Sequence, residues 1–255
     1  MDQPVTTPSV SAISLDGPSV RLRPLTRADY GFLWHCRTHP EILYLWMHGR
    51  TLPTFEQYAQ ELDGFLSSQV LTMLLIETQT ETPRPVGYIF AYDYNGFDHT
   101  AFISLVIHPV FANTGWAAEA AVMFFNYIFA YFDLRKVSME VFAFNQYMLN
   151  PLVQAGAQIE GRFIAQRYYQ GSYHDVMRLA VLHDWWNQSA PALAQQFIFG
   201  PMAARAMQEN GPSPLNGLEA PDSVKDGVAG AAAPARRKSK RTASSNGAAP
   251  AAPHE

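Results

Sequence analysis

The stretch from Ile103 to Phe124 limits the folds open to this chain more than any other. Ile103-Ser104-Leu105-Val106-Ile107 is an apolar run of strand length, His108-Pro109 breaks it, and a loop carries Gly115-Trp116-Ala117. Ala118-Glu119-Ala120-Ala121-Val122-Met123-Phe124 follows at once and is helix-forming throughout. A buried strand, a small-residue turn and a helix N-terminus in immediate succession leave free backbone N–H groups pointing at one spot. The helix dipole favours an anion there.

The remaining chain decides what surrounds this cradle. From about Gly211 the sequence turns to Gly, Pro, Ala, Ser and Lys/Arg without apolar periodicity, and residues 1–18 are similarly rich in Pro, Ser and Thr. Neither end buries enough apolar surface to offset its ordering entropy, so residues 1–18 and 211–255 read as disordered tails. One domain is expected over residues 19–188, with an appended helix in 189–210 (Pro191 to Glu209). The body carries 12 basic against 18 acidic residues over 1–211, and the segment from 212 carries 6 against 4. A mildly acidic body argues against a nucleic-acid groove and suits a cationic partner. The basic run Arg236-Arg237-Lys238-Ser239-Lys240-Arg241 reads as a solvated tail.

A single cysteine, Cys36, excludes an intramolecular disulfide and a cysteine-cluster metal site. Asp2, Pro4 and Thr6 stand where a secretory leader would be basic and then apolar, and no apolar run reaches the roughly 18 residues of a membrane span. The expectation is a cytoplasmic protein with no membrane and no nucleic-acid partner.

Along the chain, Val20–Arg23 alternates as a strand, and Thr26 with Asp29 opens a helix to about Thr38. Residues 42–49 form an aromatic connector, and Thr54-Phe55-Glu56-Gln57 is a capping box for a helix through about Phe65. Strands are expected at Leu71–Glu77, Val86–Tyr94 and Thr100–Ile107, joined by turn sequences short enough for an antiparallel meander. The helix after Gly115 runs to about Phe132, and Lys136–Phe142 is a fifth strand. Gln146–Ala155 is a weaker helix in which Pro151 forbids a regular course. Gln158–Tyr168 and Tyr173–Leu182 close the domain as a hairpin, ending at Trp185 and Trp186. The order is α/β, with the central helix crossing between two parallel strands.

That order, with several local motifs, resembles the GNAT N-acetyltransferase superfamily. His108-Pro109-Val110-Phe111-Ala112-Asn113-Thr114-Gly115-Trp116-Ala117-Ala118-Glu119-Ala120 resembles its acyl-CoA loop. Leu134-Arg135-Lys136-Val137, then Glu140-Val141-Phe142-Ala143-Phe144-Asn145 with Gly156 eleven residues on, resembles the next block. Tyr173-His174-Asp175-Val176 looks like the closing hairpin of the branch that acetylates ribosomal-protein N-termini and spermidine-type small amines. The resemblance covers about Val20 to Trp186. It implies a mixed, mostly antiparallel sheet of about seven strands flanked by helices, with a splayed parallel pair at its centre.

The resemblance also implies an activity: transfer of an acetyl or other acyl group from acyl-CoA to a primary amine by direct attack on the thioester, without a metal. The acceptor would be a small-molecule amine or a protein N-terminus, and a homodimer stays open. Donor contacts would come from Leu105, Val106 and Ile107 of the strand, from Ala112, Asn113, Thr114, Gly115, Trp116, Ala117 and Ala118 of the loop, and from Asn145. Ala112 replaces the family's cation, so anion binding rests on amides and dipole alone. Phe102 stands where branch members have a glutamate base, and substitutes are His99, His108, Asp93 and Glu140. A histidine near pKa 7 suits a base. Met148 and Leu152 replace the usual proton donors to the thiolate, which leaves Tyr147 or water. These losses motivate two alternatives: a GNAT-fold binding module with little activity, and an acyltransferase using a carrier-protein thioester or bulkier acyl donor. His35 and His39 form an i, i+4 pair without a third metal ligand in sequence.

Overall fold

The computed structural model of the protein describes residues 14–43, 51–68 and 70–200. Trp46, Met47 and His48, and everything from residue 201 on, lie outside the described residues.

Seven strands form one sheet in the order β1-β2-β3-β4-β5-β7-β6. They are β1 (Val20–Pro24), β2 (Val70–Thr78), β3 (Pro85–Asn95), β4 (Thr100–Ile107), β5 (Lys136–Phe142), β6 (Gln158–Tyr169) and β7 (Ser172–Leu182). β1 to β4 pair antiparallel in sequence, as their short connections require. β4 and β5 are the parallel pair, joined by the crossing helix, and β7 lies antiparallel between β5 and β6.

The sheet's two faces carry two cores, because successive residues of a strand point opposite ways. On one face, Leu74, Ile76, Ile89, Ala91, Ala101, Ile103, Val137, Met139 and Leu179 pack under α4 (Trp116–Tyr131) and α6 (His183–Phe197). On the other face, α1 (Tyr30–Thr38), the short α2 (Pro40–Leu43) and α3 (Phe55–Ser68) cover only β2 to β4. There Tyr30, Leu33, Cys36, Tyr58 and Leu62 meet Met73, Leu75, Tyr88 and Phe90. Among the described residues, no helix lies over the part of this face formed by β5, β7 and β6.

Polar anchors fix the first strand. Thr26 and Asp29 close a capping box over a 3₁₀ turn (Arg27–Asp29) that leads into α1. Arg23 donates to both oxygens of Asp29 at 2.8 and 2.9 Å and to Glu77 at 3.1 Å, and Arg21 joins Glu77 at 2.7 Å. Burial alone would raise the Asp29 pKa, yet its bonds from Arg23 and Thr26 outweigh that and hold it below the usual carboxylate range. Glu119, the one charged residue of α4, is buried and accepts the backbone N–H groups of Ser19 and Val20 at 2.8 and 3.0 Å. Burial raises its pKa, opposed by those two amides. Residues 14–18, expected in the N-terminal tail, are ordered against β1: Leu22 N–H bonds Leu15 O at 2.8 Å and Gly17 N–H bonds Val20 O at 2.9 Å.

Two expectations near the C-terminal half are corrected. Pro151 does not interrupt α5 (Gln146–Gln154), whose first turn is capped by the Asn145 side chain accepting from Met148 N–H at 3.3 Å. The helix tolerates the lost donor because its exposed face leaves the freed carbonyl open to water. The expected boundary at residue 188 falls inside α6. Residues 189–197 continue a helix that began at His183, with Trp185 and Trp186 in its first turns, because Trp186 stacks on Phe125 of α4 at 5.0 Å. Gly156, in the left-handed region (φ 95°), lies directly beneath the Trp185 ring, where a Cβ would collide with it.

Replacing that glycine, Gly156→Ala, adds both left-handed strain and a clash with the ring. It is expected to cost about 2–4 kcal/mol, read as a lower urea midpoint with unchanged slope. At Glu119 two variants should separate. Glu119→Ala strands two buried amides and costs about 1–3 kcal/mol. Glu119→Gln keeps the acceptor and removes the charge. A raised folded pKa contributes stability below the unfolded carboxylate value that is lost as pH rises through the folded one, so the Gln variant should lose less stability between pH 4 and 8 than the native chain.

Candidate active site

The site begins where β4 and β5 stop pairing. They are in register only at Thr100–Lys136, Ala101–Val137 and Phe102–Ser138. Beyond that, β4 keeps its full ladder to β3 and β5 its full ladder to β7, so the two strands separate toward their C-terminal ends. His108 N–H bonds Val86 O at 2.9 Å. Antiparallel alternation then turns the backbone groups of Ser104 and Val106 toward β3 and those of Leu105 and Ile107 into the gap. Val106 was expected to contribute backbone to the donor. Its carbonyl instead meets β3, lying against Gly87 so closely that no Cβ would fit there.

The loop after β4 stands over this gap. A 3₁₀ turn (Pro109–Phe111) is followed by Gly115 at φ 84° as the N-cap of α4. Several amides of the loop are internally engaged: Ala112 N–H bonds Pro109 O, Trp116 N–H bonds Thr114 Oγ1, and Ala118 N–H bonds Gly115 O. Asn113 N–H donates to the Tyr147 hydroxyl at 2.9 Å. Among the described residues, the N–H groups of Thr114, Gly115 and Ala117 meet no acceptor, and they sit at the positive end of a 16-residue helix. The anion cradle is therefore narrower than the loop as a whole. Its contacts fit a diphosphate through amides and dipole, with Ala112 adding no charge.

The expected catalytic side chains separate widely. His99 lies at the N-terminal end of β4, in a left-handed turn (φ 52°), with its Nδ1 3.2 Å from the Asp133 carbonyl. A strand rises about 3.3 Å per residue, so eight residues put it roughly 25 Å from Ile107, and the structure does not bring it to the gap. His108 is at the right end of the strand, 3% exposed, its Nδ1 accepting from Val110 N–H. Its ring is set against His39 at 5.0 Å and Phe32 at 6.3 Å. Burial, then the neighbouring His39 and His35, lower its pKa, so it is neutral at pH 7. This is also where the His35/His39 pair comes: His39 caps α1 and packs on His108. Glu140 faces the uncovered part of the sheet but is held by Arg178, whose Nη2 donates to its Oε1. Asp93 lies at the bulged, exposed end of β3. Tyr147 reaches the loop rather than the gap, Asn145 serves as the α5 cap, and Met148 and Leu152 turn onto the core. The Cys36 thiol is pushed up to about 12 by burial and is inert at neutral pH.

Two residues went unnoticed in the sequence. Arg178 of β7 pairs opposite Glu140, and Arg167 of β6 reaches the same carboxylate at 3.8 Å. Arg178 lies between the rings of Phe102 and Phe163, at 5.1 and 4.8 Å. Arg167 arrives there through a bulge: five residues of β6 (Phe163 to Arg167) oppose three of β7 (Val176 to His174). Asp175 pins the bulge by accepting from Ala165 N–H at 2.7 Å and from Arg162. The expected hairpin motif thus has a physical role, and the alternation of Glu140 with Arg178 was the available signal.

A cavity of about 750 Å³ between α4 and α6, under residues 14–18, opens on the opposite face and is mainly apolar. His183, Asp16 and Ser14 are among its lining residues, but it lies apart from the strand gap and the anion cradle.

The acetyltransferase (GNAT) domain family model matches residues 19–158, more than half of the chain. The chain is similar to spermidine N(1)-acetyltransferase of Escherichia coli K12, at 22% identity over 163 residues, covering 64% of this chain and 86% of the relative. It is also similar to the Vibrio cholerae spermidine N(1)-acetyltransferase, at 20% identity, covering 63% and 91%. Among solved structures, the V. cholerae spermidine N-acetyltransferase in complex with CoA and spermine superposes with a TM-score of 0.61 at 19% identity, covering 66% of this chain and 98% of that one. A GNAT-family acetyltransferase from Bacillus anthracis superposes with a TM-score of 0.56 at 19% identity, covering 67% and 98%. The strand gap and loop, the seven-stranded order and the family match agree: the chain belongs to the acetyltransferase (GNAT) family of N-acetyltransferases.

Proposed function

We propose that the protein transfers an acyl group from acyl-CoA to a small-molecule primary amine. The observation that carries this is the alignment of two sets of unspent backbone groups, those of Leu105 and Ile107 in the gap and those of Thr114, Gly115 and Ala117 above it. The first set suits an extended pantetheine arm, laid beside β4 as another strand would be. The second suits its diphosphate. A thioester carbonyl in the gap would accept from a β4 amide, and that bond strengthens as the oxygen gains charge in the transition state. The amine nitrogen forms its bond to the acyl carbon, the C–S bond breaks, and the nitrogen's surplus proton passes to a base. His108 is the base that the geometry favours: it is neutral and stands at the gap end of β4. The thiolate takes its proton from water, since Met148 and Leu152 offer none. Relatives named for spermidine and a neighbour holding CoA and spermine support the amine and CoA classes.

A second reading keeps the chemistry but presents the thioester on a carrier protein. The absence of a loop cation, together with the Tyr147 hydroxyl on Asn113 N–H, favours it, because both weaken diphosphate binding.

Thermal unfolding with acetyl-CoA, desulfo-CoA and acetyl-phosphopantetheine tests both. A ligand at about 100 times its Kd stabilises the fold by about 2.7 kcal/mol. A shift with both CoA compounds and a smaller one with the truncated thioester is expected, and Tyr147→Phe should enlarge the CoA shift by freeing Asn113 N–H. Equal shifts with all three would favour the carrier-bound donor. No shift at millimolar ligand would remove both readings.

The base has its own test. His108→Gln is expected to lower kcat by about 10²–10⁴-fold. The acid limb of the native pH–rate profile should fall below the usual histidine value of about 6.5. Stability follows the same sign: a depressed folded pKa gives stability that is complete above the unfolded value and is lost as pH falls through the folded one. An unchanged rate in His108→Gln would take histidine out of the mechanism.

A further inference from the structure

The acceptor half of the site carries a charge pattern that narrows the substrate, on the acyl-transfer reading above. Among the described residues, the open part of the sheet face carries Phe102 and Ser104 of β4, Glu140 of β5, Arg178 of β7 and Arg167 of β6, with Tyr92 of β3 alongside. Glu140 is the carboxylate that both guanidiniums face, and Arg178 takes its Oε1. Arg167 stands 3.8 Å from Oε2, beyond hydrogen-bond length, and makes no hydrogen bond among the described residues. The Nε atoms of Arg167 and Arg178 are buried without partners. Both side chains nevertheless keep about a third of their surface open, 31% and 35%. Each guanidinium is thus desolvated at Nε while part of its side chain stays accessible. Asp93 contributes to the field at Tyr92 from the exposed end of β3, and Arg162 with Asp175 forms a closed pair farther along the hairpin.

One carboxylate against two guanidiniums leaves a positive charge uncompensated, on a side chain with nearly all of its N–H donors unspent. A polyamine would bring further cations against that charge. An anion would meet a planar fork already aimed and partly desolvated, the arrangement in which arginine binds carboxylate or phosphate best. We infer that the acceptor is a primary amine that also carries an anionic group, carboxylate or phosphate, and that Arg167 is the residue that engages it.

Thiol release from acetyl-CoA, measured with 4-aminobutyrate, phosphoethanolamine, 1,4-diaminobutane and spermidine, reads the preference directly. The expected result is that an anion-bearing amine exceeds the two polyamines in kcat/KM by about 10–100-fold, the worth of one charged hydrogen-bonded contact. Arg167→Gln should raise KM for that amine by a similar factor, leave its kcat within about twofold, and lower KM for the polyamines by relieving the charge set against them. Whether carboxylate or phosphate is the better substrate assigns the anion. A native preference for spermidine or diaminobutane, or an Arg167→Gln variant with unaltered selectivity, overturns the inference. Calorimetric titration of the same amines into the native and Arg167→Gln chains separates this from the donor assignment. Arg167-dependent binding of an anionic amine without any acyl-CoA binding would sink the donor and keep the anion site. Acyl-CoA binding with no anionic amine bound would do the reverse.

Discussion

The separation of β4 from β5 after Phe102 and Ser138 is the constraint on which the remaining architecture turns. A sheet interior normally satisfies every backbone donor and acceptor, and leaving several unpaired in the middle of seven strands is costly. It is tolerated here because each strand keeps a complete ladder on its other side, β4 to β3 and β5 to β7. The unpaired groups are thus concentrated in one slot at the C-terminal ends of the parallel pair, the place where α/β sheets bind ligands for the same topological reason. The loop from His108 to Gly115 and the N-terminus of α4 then add anion-seeking amides at the mouth of that slot.

The helix that supplies those amides is held from two directions. Its apolar residues pack over the first core, and its lone carboxylate, Glu119, ties it to the entry of β1. Because β1 is also fixed to the α1 turn and β2 through Arg23, Asp29 and Glu77, the cradle is joined by hydrogen bonds to the edge of the sheet farthest from the hairpin. A glutamate that resembles part of a cofactor motif in sequence therefore works as an acceptor for backbone amides. It touches the chemistry only by keeping α4 in place.

Much of this was legible from periodicity. The strands, the crossing helix and the short turns follow from alternation and from capping residues such as Thr26 and Thr54. What alternation could not give was the end of a strand at which a residue falls in space. His99 and His108 flank the same strand and looked equivalent, yet one is beside Asp133 and the other in the cluster with Phe32 and His39. The loop motif marks seven successive positions, Ala112 to Ala118, as alike, whereas among the described residues only the amides of Thr114, Gly115 and Ala117 meet no acceptor. Arg167 was hidden for another reason. The two extra residues between Phe163 and Arg167 break the strand's register, and no count along a strand can see an insertion pinned by Asp175 from its neighbour. Pro191 reads in sequence as a helix start, whereas the packing of Trp186 on α4 begins α6 eight residues earlier, at His183.

The bulged course of β6 has a second effect. β6 is an edge strand of the sheet, and a long, flat edge strand offers its unpaired backbone to any other extended chain. The register shifts at Ile159/Gly161 and Phe163/Arg167, with Ala165 in the left-handed region, break that row of donors and acceptors into pieces too short to template another strand. The distortion that carries Arg167 to Glu140 also blunts this border of the sheet, so straightening the strand would expose an adhesive edge as well as misplace a guanidinium.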